Sequence, residues 1–228
     1  MPSSPVPANS VDAFYSPELD QLFYFGGATN DPTAPLNSVL SFDFGTSAWS
    51  ILPTRTAPPP ARFGHCSAVV DGERFFILGG RTPLGDLNDL WVYNIAALNW
   101  TEIVTNDPDQ TSQPEPSYFS GCAYAPDLRS IIVYGGLTGN NYDTNRVFLF
   151  DVDNGTWQYQ FGLRNQILAP PDALFGASVV YDASTNRVIV YGGIFYNPLE
   201  QLVFNSLVYV YSLVSGMWSI PFPSGTIP

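Results

Sequence analysis

An all-β fold assembled from four copies of one four-stranded unit is what this sequence predicts, and three observations carry that expectation. An apolar run ending in two glycines recurs at 22–27 (LFYFGG), 75–80 (FFILGG), 131–136 (IIVYGG) and 188–193 (VIVYGG), with the first glycines 53, 56 and 57 residues apart. Downstream of each run an aromatic residue precedes a Trp by seven positions: Phe42 and Trp49, Tyr93 and Trp100, Phe150 and Trp157, Tyr211 and Trp218. The 228 residues include 19 Gly, 21 Pro and 15% aromatics, a mixture that suits many short strands joined by turn-rich loops. Self-similarity at a nearly fixed period marks a repeat architecture.

The elements follow in order within a unit. In the second unit, strand A is expected over about 64–70 (GHCSAVV), strand B over 74–78 (RFFIL), strand C over 89–94 (DLWVYN) and strand D over 99–104 (NWTEIV). Asp71-Gly72 joins A to B, and in the third unit Asn154-Gly155 joins C to D, as hairpin chemistry favours. The paired glycine is expected to end strand B, where the missing Cβ permits positive φ and close backbone approach. The aromatic of strand C and the Trp of strand D are expected as buried anchors, each removing roughly 150–250 Å² from water. An Asn precedes the Trp by 12 residues at Asn37, Asn88 and Asn145, and by 13 at Asn205. Its expected role is to satisfy backbone groups near the diglycine.

This arrangement resembles the kelch repeat. The residues that carry the resemblance are the glycine pairs Gly26-Gly27, Gly79-Gly80, Gly135-Gly136 and Gly192-Gly193, the recurring tryptophans Trp49, Trp100, Trp157 and Trp218 among the five of the chain, and the RFGH opening (62–65) of the second unit. The third and fourth units open on YFSG (118–121) and LFGA (174–177) instead. The resemblance implies a single domain over 1–228, with repeats at about 11–53, 62–105, 118–160 and 174–222. Its fold would be a kelch-type β-propeller of four-stranded antiparallel blades, four of them visible. Propellers range from about 4 to 8 blades, and kelch propellers usually have more than four, so part of a longer propeller or an incomplete ring is expected. Such a ring would expose an apolar blade face at each end. The resemblance further implies protein–protein interaction without a cofactor. The alternatives are a carbohydrate-directed or oxidase-like enzyme propeller, related to galactose oxidase, with its catalytic residues elsewhere, or a structural segment of a large cell-surface protein.

Charge narrows the partners. The formal net charge is −12 and the eight cations are all Arg. Displacing counterions from a phosphate backbone needs clustered cations, so nucleic acid is not an expected partner. No apolar run is long enough to cross a membrane as a helix, and no signal peptide is visible at the N-terminus. A protein partner is expected, with carbohydrate as the other class.

If strands alternate in direction, the B–C and D–A loops share one rim and the short A–B and C–D turns share the other. The longer, more variable rim is the expected binding face. Arg81, Asp86, Tyr142, Arg164, Phe195 and Tyr196 are its candidate contacts, because Arg and exposed aromatics are typical interface anchors. Catalytic readings find little support. His65 is the only histidine, so paired-histidine copper chemistry and a histidine metal cluster are ruled out within this chain, and no GxSxG elbow accompanies it. A structural, hydrogen-bonded role is expected for His65. Cys66 and Cys122 each lie 13 residues before a diglycine and three after a Phe. They therefore read as equivalent positions on neighbouring inner strands, and as free buried thiols. DVDNG (151–155) lacks the glycine and glutamate spacing of a calcium loop and reads as a hairpin turn. The sequons at Asn99 (NWT) and Asn154 (NGT) are glycosylation candidates on the rim opposite the binding face. Together with the absence of Lys they tilt the expected origin toward the extracellular side.

Overall fold

The computed structural model describes residues 10–31, 33–105, 112–139, 144–160 and 173–221, and every regular element among them is a β-strand. The first sheet comprises β1 (Ala13–Ser16), β2 (Gln21–Phe25), β3 (Val39–Asp43) and β4 (Ala48–Leu52). The second comprises β5 (Cys66–Val70), β6 (Arg74–Thr82), β7 (Gly85–Asn94) and β8 (Asn99–Ile103). The third holds β9 (Gly121–Ala125), β10 (Ser130–Tyr134), β11 (Val147–Asp151) and β12 (Thr156–Gln160). The fourth holds β13 (Phe175–Asp182), β14 (Arg187–Tyr196), β15 (Leu202–Phe204), β16 (Val208–Ser212) and β17 (Met217–Ser219). Each sheet is an antiparallel meander in chain order, with β15 an extra strand paired to β14. These are the blades of a kelch-type propeller.

Stacking explains why the strands read as apolar runs rather than alternations. In β10, Ile131 and Val133 pack toward blade 2 with Phe76 and Leu78, while Ile132 and Tyr134 pack toward blade 4 with Val188 and Val190. Both faces of an inner blade are therefore core, as in any doubly covered sheet. A third core joins blades 1 and 2 through Phe25, Val39, Phe75, Ile77, Tyr93 and Trp100.

The seven-residue spacing has a local cause. Each aromatic stands directly across the C–D hairpin from its Trp, with ring centroids 5.1, 5.1, 5.0 and 4.9 Å apart from blade 1 to blade 4. The residue after the aromatic caps the turn in every blade. Asp43, Asn94, Asp151 and Ser212 each accept, on a side-chain oxygen, the backbone N–H three residues on, a local side-chain cap of the kind these residues favour. Two residues before each Trp the chain turns left-handed, at Ser47, Leu98, Gly155 and Gly216. Trp100, Trp157 and Trp218 then bury against the preceding blade, whereas Trp49 is half-buried against Tyr24 and Phe42 of its own.

The turn hydrogen bonds also fix the rims. The first residue of each C–D turn donates its N–H to the last carbonyl of the A–B turn: Phe44 to Asp20, Ile95 to Glu73, Val152 to Arg129 and Leu213 to Asn186, at 3.0–3.2 Å. The A–B and C–D turns thus lie on one rim. The B–C and D–A segments pair on the other, as Arg62 does with Leu36 and Ser117 with Leu87.

Three expectations need correction. The diglycine does not end strand B in blades 2 and 4, because β6 runs on to Thr82 and β14 to Tyr196. In β6 the pair forms a bulge, with the register shifting between Leu78 and Gly80. Both glycines take positive φ in all four blades, which a bulge accommodates as readily as a strand end. A Cβ on Gly79 would sit 2.8 Å from the Leu87 carbonyl oxygen and 2.9 Å from that of Ser117. The carbonyl at the first glycine is satisfied by Asn205 in blade 4 (2.9 Å), as expected, but by Arg62 in blade 2 (2.9 Å). Arg62 is fully buried and also forks onto Asp89 at 2.5 and 2.7 Å.

Second, Cys66 and Cys122 are not free: they form a disulfide, with Cα atoms 5.5 Å apart. Counting back from the glycines misaligned them by one residue. The A–B turn of blade 2 has three residues, between Val70 and Arg74, whereas that of blade 3 has four, between Ala125 and Ser130. Cys66 therefore matches Gly121, and Cys122 matches Ser67. One residue of phase reverses the face of a strand, so Cys66 points toward blade 3 and Cys122 back toward blade 2.

Third, His65 is buried but not hydrogen-bonded, since neither ring nitrogen has a partner. Its imidazole lies edge-on to Phe25, with centroids 5.6 Å apart. Burial, reinforced by the Arg62 charge, pushes its pKa down to about 3.

Two measurements check these findings. Replacing both cysteines by Ala removes a cross-link over 56 residues and is expected to lower the unfolding free energy by roughly 2–4 kcal/mol, read as a lower urea midpoint. His65 is neutral when folded, yet it titrates near its ordinary value of 6.5 when unfolded. His65 should therefore contribute a loss of ~1.4 kcal/mol per pH unit on acidification below about pH 6, while Asp12, whose raised pKa lets the folded form take up a proton there, contributes in the opposite sense. In urea titrations at successive pH values, His65→Phe should lose less stability on acidification than the wild type by that His65 contribution.

Candidate functional site

On the B–C/D–A rim each blade from the second onward places an aromatic residue at or just before the start of its inner strand. Phe63 exchanges backbone hydrogen bonds with Arg81 (3.1 and 2.8 Å), Tyr118 does so with Leu137 (3.0 and 2.8 Å), and Phe175 pairs with Ile194. The next residue is left-handed each time, with φ of 62° at Gly64, 57° at Phe119 and 65° at Gly176. Each of these residues directs its backbone N–H at the preceding blade. Gly64 N–H donates to Ser10 (2.9 Å), Phe119 N–H to Gly64 (2.6 Å) and Gly176 N–H to Phe119 (2.7 Å). A relay of peptide hydrogen bonds thereby links all four blades at the rim.

The aromatic residues form a floor. Tyr118, Leu137 and Phe175 are one buried cluster, with Phe63, Phe119 and Ile194 packed against it. The Arg81 guanidinium lies over the Tyr118 ring at 4.8 Å, and its Nε is 3.6 Å from an Asp86 oxygen. The Asp86 side chain is only 4% exposed, and its oxygens make no hydrogen bond. Burial raises its pKa, and the Arg81 charge opposes that rise. Tyr196 stacks on Phe175 with ring centroids 6.0 Å apart. Arg81, Asp86 and Tyr196 thus meet on one floor. Phe195, the neighbour of Tyr196 on β14, packs instead against the core between blades 3 and 4. Tyr142 and Arg164 lie outside the described residues.

Two hairpins extend from B–C segments of the same rim. The extended β6–β7 ribbon carries Leu84 at its tip, 99% exposed, and the β14–β15 ribbon carries Leu199, 76% exposed. Sequence reasoning missed these leucines along with Phe63, Tyr118 and Phe175. The signal for the aromatics lay in the RFGH, YFSG and LFGA stretches, where each precedes the left-handed residue.

The inner strands line an open cavity of about 500 Å³ that takes in Gly64, Phe119 and Gly176 of the relay together with Asp12, Ser67, Ser120 and Ser178. The Asp12 carboxylate accepts the Ser67 N–H at 2.9 Å, yet burial pushes its pKa up to about 6. Among the described residues no three His, Cys, Asp or Glu side chains are grouped to hold a metal ion.

Comparison with known proteins places this geometry. Kelch domain-containing protein 10 of Xenopus laevis is 27% identical over 136 residues, 58% of this chain and 31% of that protein. Multiple epidermal growth factor-like domains protein 8 of Mus musculus is 28% identical over 169 residues, 73% of this chain and 6% of that protein. N-(sulfonatooxy)prop-2-enimidothioate sulfolyase of Thlaspi arvense is 24% identical over 143 residues, 60% of this chain and 40% of that protein. The chain thus spans well under half the length of each of these relatives. The Attractin/LZTR1 beta-propeller family matches residues 22–227. Four diglycine-and-Trp blades and a match over nearly the whole length establish that the chain belongs to the Attractin/LZTR1 β-propeller family.

Proposed function

We propose that this chain is a non-catalytic scaffold that binds a protein partner through its B–C/D–A rim. The observation that carries the reading is the combination of the aromatic floor with two apolar-tipped hairpins. Arg, Tyr and Trp dominate the energetics of protein interfaces, and Arg81 is already held in place by Tyr118 and Asp86. Little ordering entropy remains to be lost when it meets a partner. Leu84 and Leu199 stand in solvent in the free chain and gain apolar burial only on binding. A net charge of −12 favours a basic partner, mainly through faster encounter at low salt.

A catalytic role draws no support from His65, which is buried without a hydrogen-bond partner. The sulfolyase activity belongs to the relative that bears that name, and no residue set here is assigned to it.

The test is affinity capture from cells, followed by titration of the recovered partner against the wild type and two variants. Arg81→Ala and Leu84→Asp should each weaken binding by about tenfold or more, corresponding to ~1.4 kcal/mol or above. A control substitution on the other rim, Asp153→Ala, should leave affinity unchanged. Equal affinity for wild type and both rim variants would refute this choice of face.

A further inference from the structure

We propose that Asn154 is an N-glycosylation site, so that a sugar chain stands on the turn rim, opposite the binding face. Two independent observations support it. The first is the acceptor motif itself, Asn154-Gly155-Thr156, which occupies the C–D hairpin of blade 3 with Asn154 and Thr156 both exposed. Asp151 presents the acceptor by taking the Asn154 backbone N–H at 2.9 Å and its Nδ2–H at 2.8 Å. Gly155 turns left-handed at 68°, and a Cβ built on it would meet nothing within 4 Å. Asn154 is thus exposed, with open space beside it at Gly155, as a bulky surface modification requires.

The second observation is the Cys66–Cys122 disulfide. Disulfides form and persist in oxidising compartments and are rare where glutathione keeps thiols reduced. The eukaryotic compartment that oxidises cysteines during folding also transfers oligosaccharides to sequons, so one covalent bond reports exposure to the other chemistry. Asn99, the second sequon, is a less open acceptor: its side chain is half-buried, and the middle residue of its motif is the buried Trp100.

In the transfer, Nδ2 of Asn154 forms a bond to the anomeric carbon of a lipid-diphosphate-linked oligosaccharide. The bond from that carbon to the diphosphate oxygen breaks, the lipid diphosphate leaves with its electron pair, and one Nδ2 proton is lost to the transferase. No oxidant is consumed, and the carboxamide becomes a glycosylated amide.

The experiment reads the protein from its own cells, with thiols blocked at lysis. Peptides are mapped by mass spectrometry before and after peptide-N-glycosidase treatment in heavy-oxygen water. The peptide containing residue 154 should be recovered chiefly as labelled Asp after treatment, with Cys66 and Cys122 linked. Recovery of unmodified Asn154 peptide at full yield without the enzyme, or of reduced Cys66 and Cys122, overturns the proposal. Secretion of the full chain from a eukaryotic host supplies a second readout. Asn154→Gln should abolish a glycosidase-sensitive mobility shift, Thr156→Ser should retain it and Asn99→Gln should leave it in place. A shift that survives Asn154→Gln and disappears in Asn99→Gln assigns the sugar to Asn99 and overturns the proposal. An intact disulfide in each variant shows that the changes act on the acceptor and not on folding.

Discussion

Everything in this molecule depends on how one blade grips the next near the axis. A residue at one position of an inner strand meets the residue one place further along on the following strand. The chain solves this contact in three ways. Between blades 1 and 2 it is a carboxylate on a backbone N–H, Asp12 to Ser67. Between blades 2 and 3 it is a covalent bond, Cys66 to Cys122. Between blades 3 and 4 it is close packing, where a Cβ on Gly121 would lie 2.4 Å from a Val179 methyl. A single blade exposes two apolar faces and cannot stand alone, so these contacts and the three cores behind them allow the sheets to exist.

Much of this was legible because its causes are local. The aromatic–Trp spacing is the length of a hairpin closed by an Asx or Ser cap and a left-handed residue, so it survives in all four copies. Rim assignment followed from strand alternation alone. What escaped the sequence reading was phase. Counting from Gly79 and Gly135 crosses turns of three and four residues, and nothing in Asp71-Gly72-Glu73 announces that it is the shorter one. Local chemistry also left the paired glycines ambiguous, because positive φ suits a strand end and a bulge equally. The structure ends the strand at the pair in blades 1 and 3, forms a bulge there in blade 2 and runs the strand through the pair in blade 4.

The candidate site was half visible for the same reason. Arg81, Asp86 and Tyr196 could be chosen by residue type and loop position. Phe63, Tyr118 and Phe175 look like the first residues of strands, and only the pairing with Arg81, Leu137 and Ile194 shows that they form a floor. His65 shows how a motif can keep its position and lose its expected bond. Its ring fills space beside Phe25 and the diglycine loops, and the polar work of the RFGH opening falls to Arg62, with Asp89 as its counter-ion.

The peptide relay through Ser10, Gly64, Phe119 and Gly176 makes the rim mechanically continuous. Gly64 and Phe119 each donate to the preceding blade and accept from the following one, so their amide dipoles polarise in the same sense and reinforce one another. Displacing any one entrance loop stretches the bond on either side of it. Tyr118 sits one residue before a link of this chain, so a load applied at the aromatic floor is shared along the rim by the other blades.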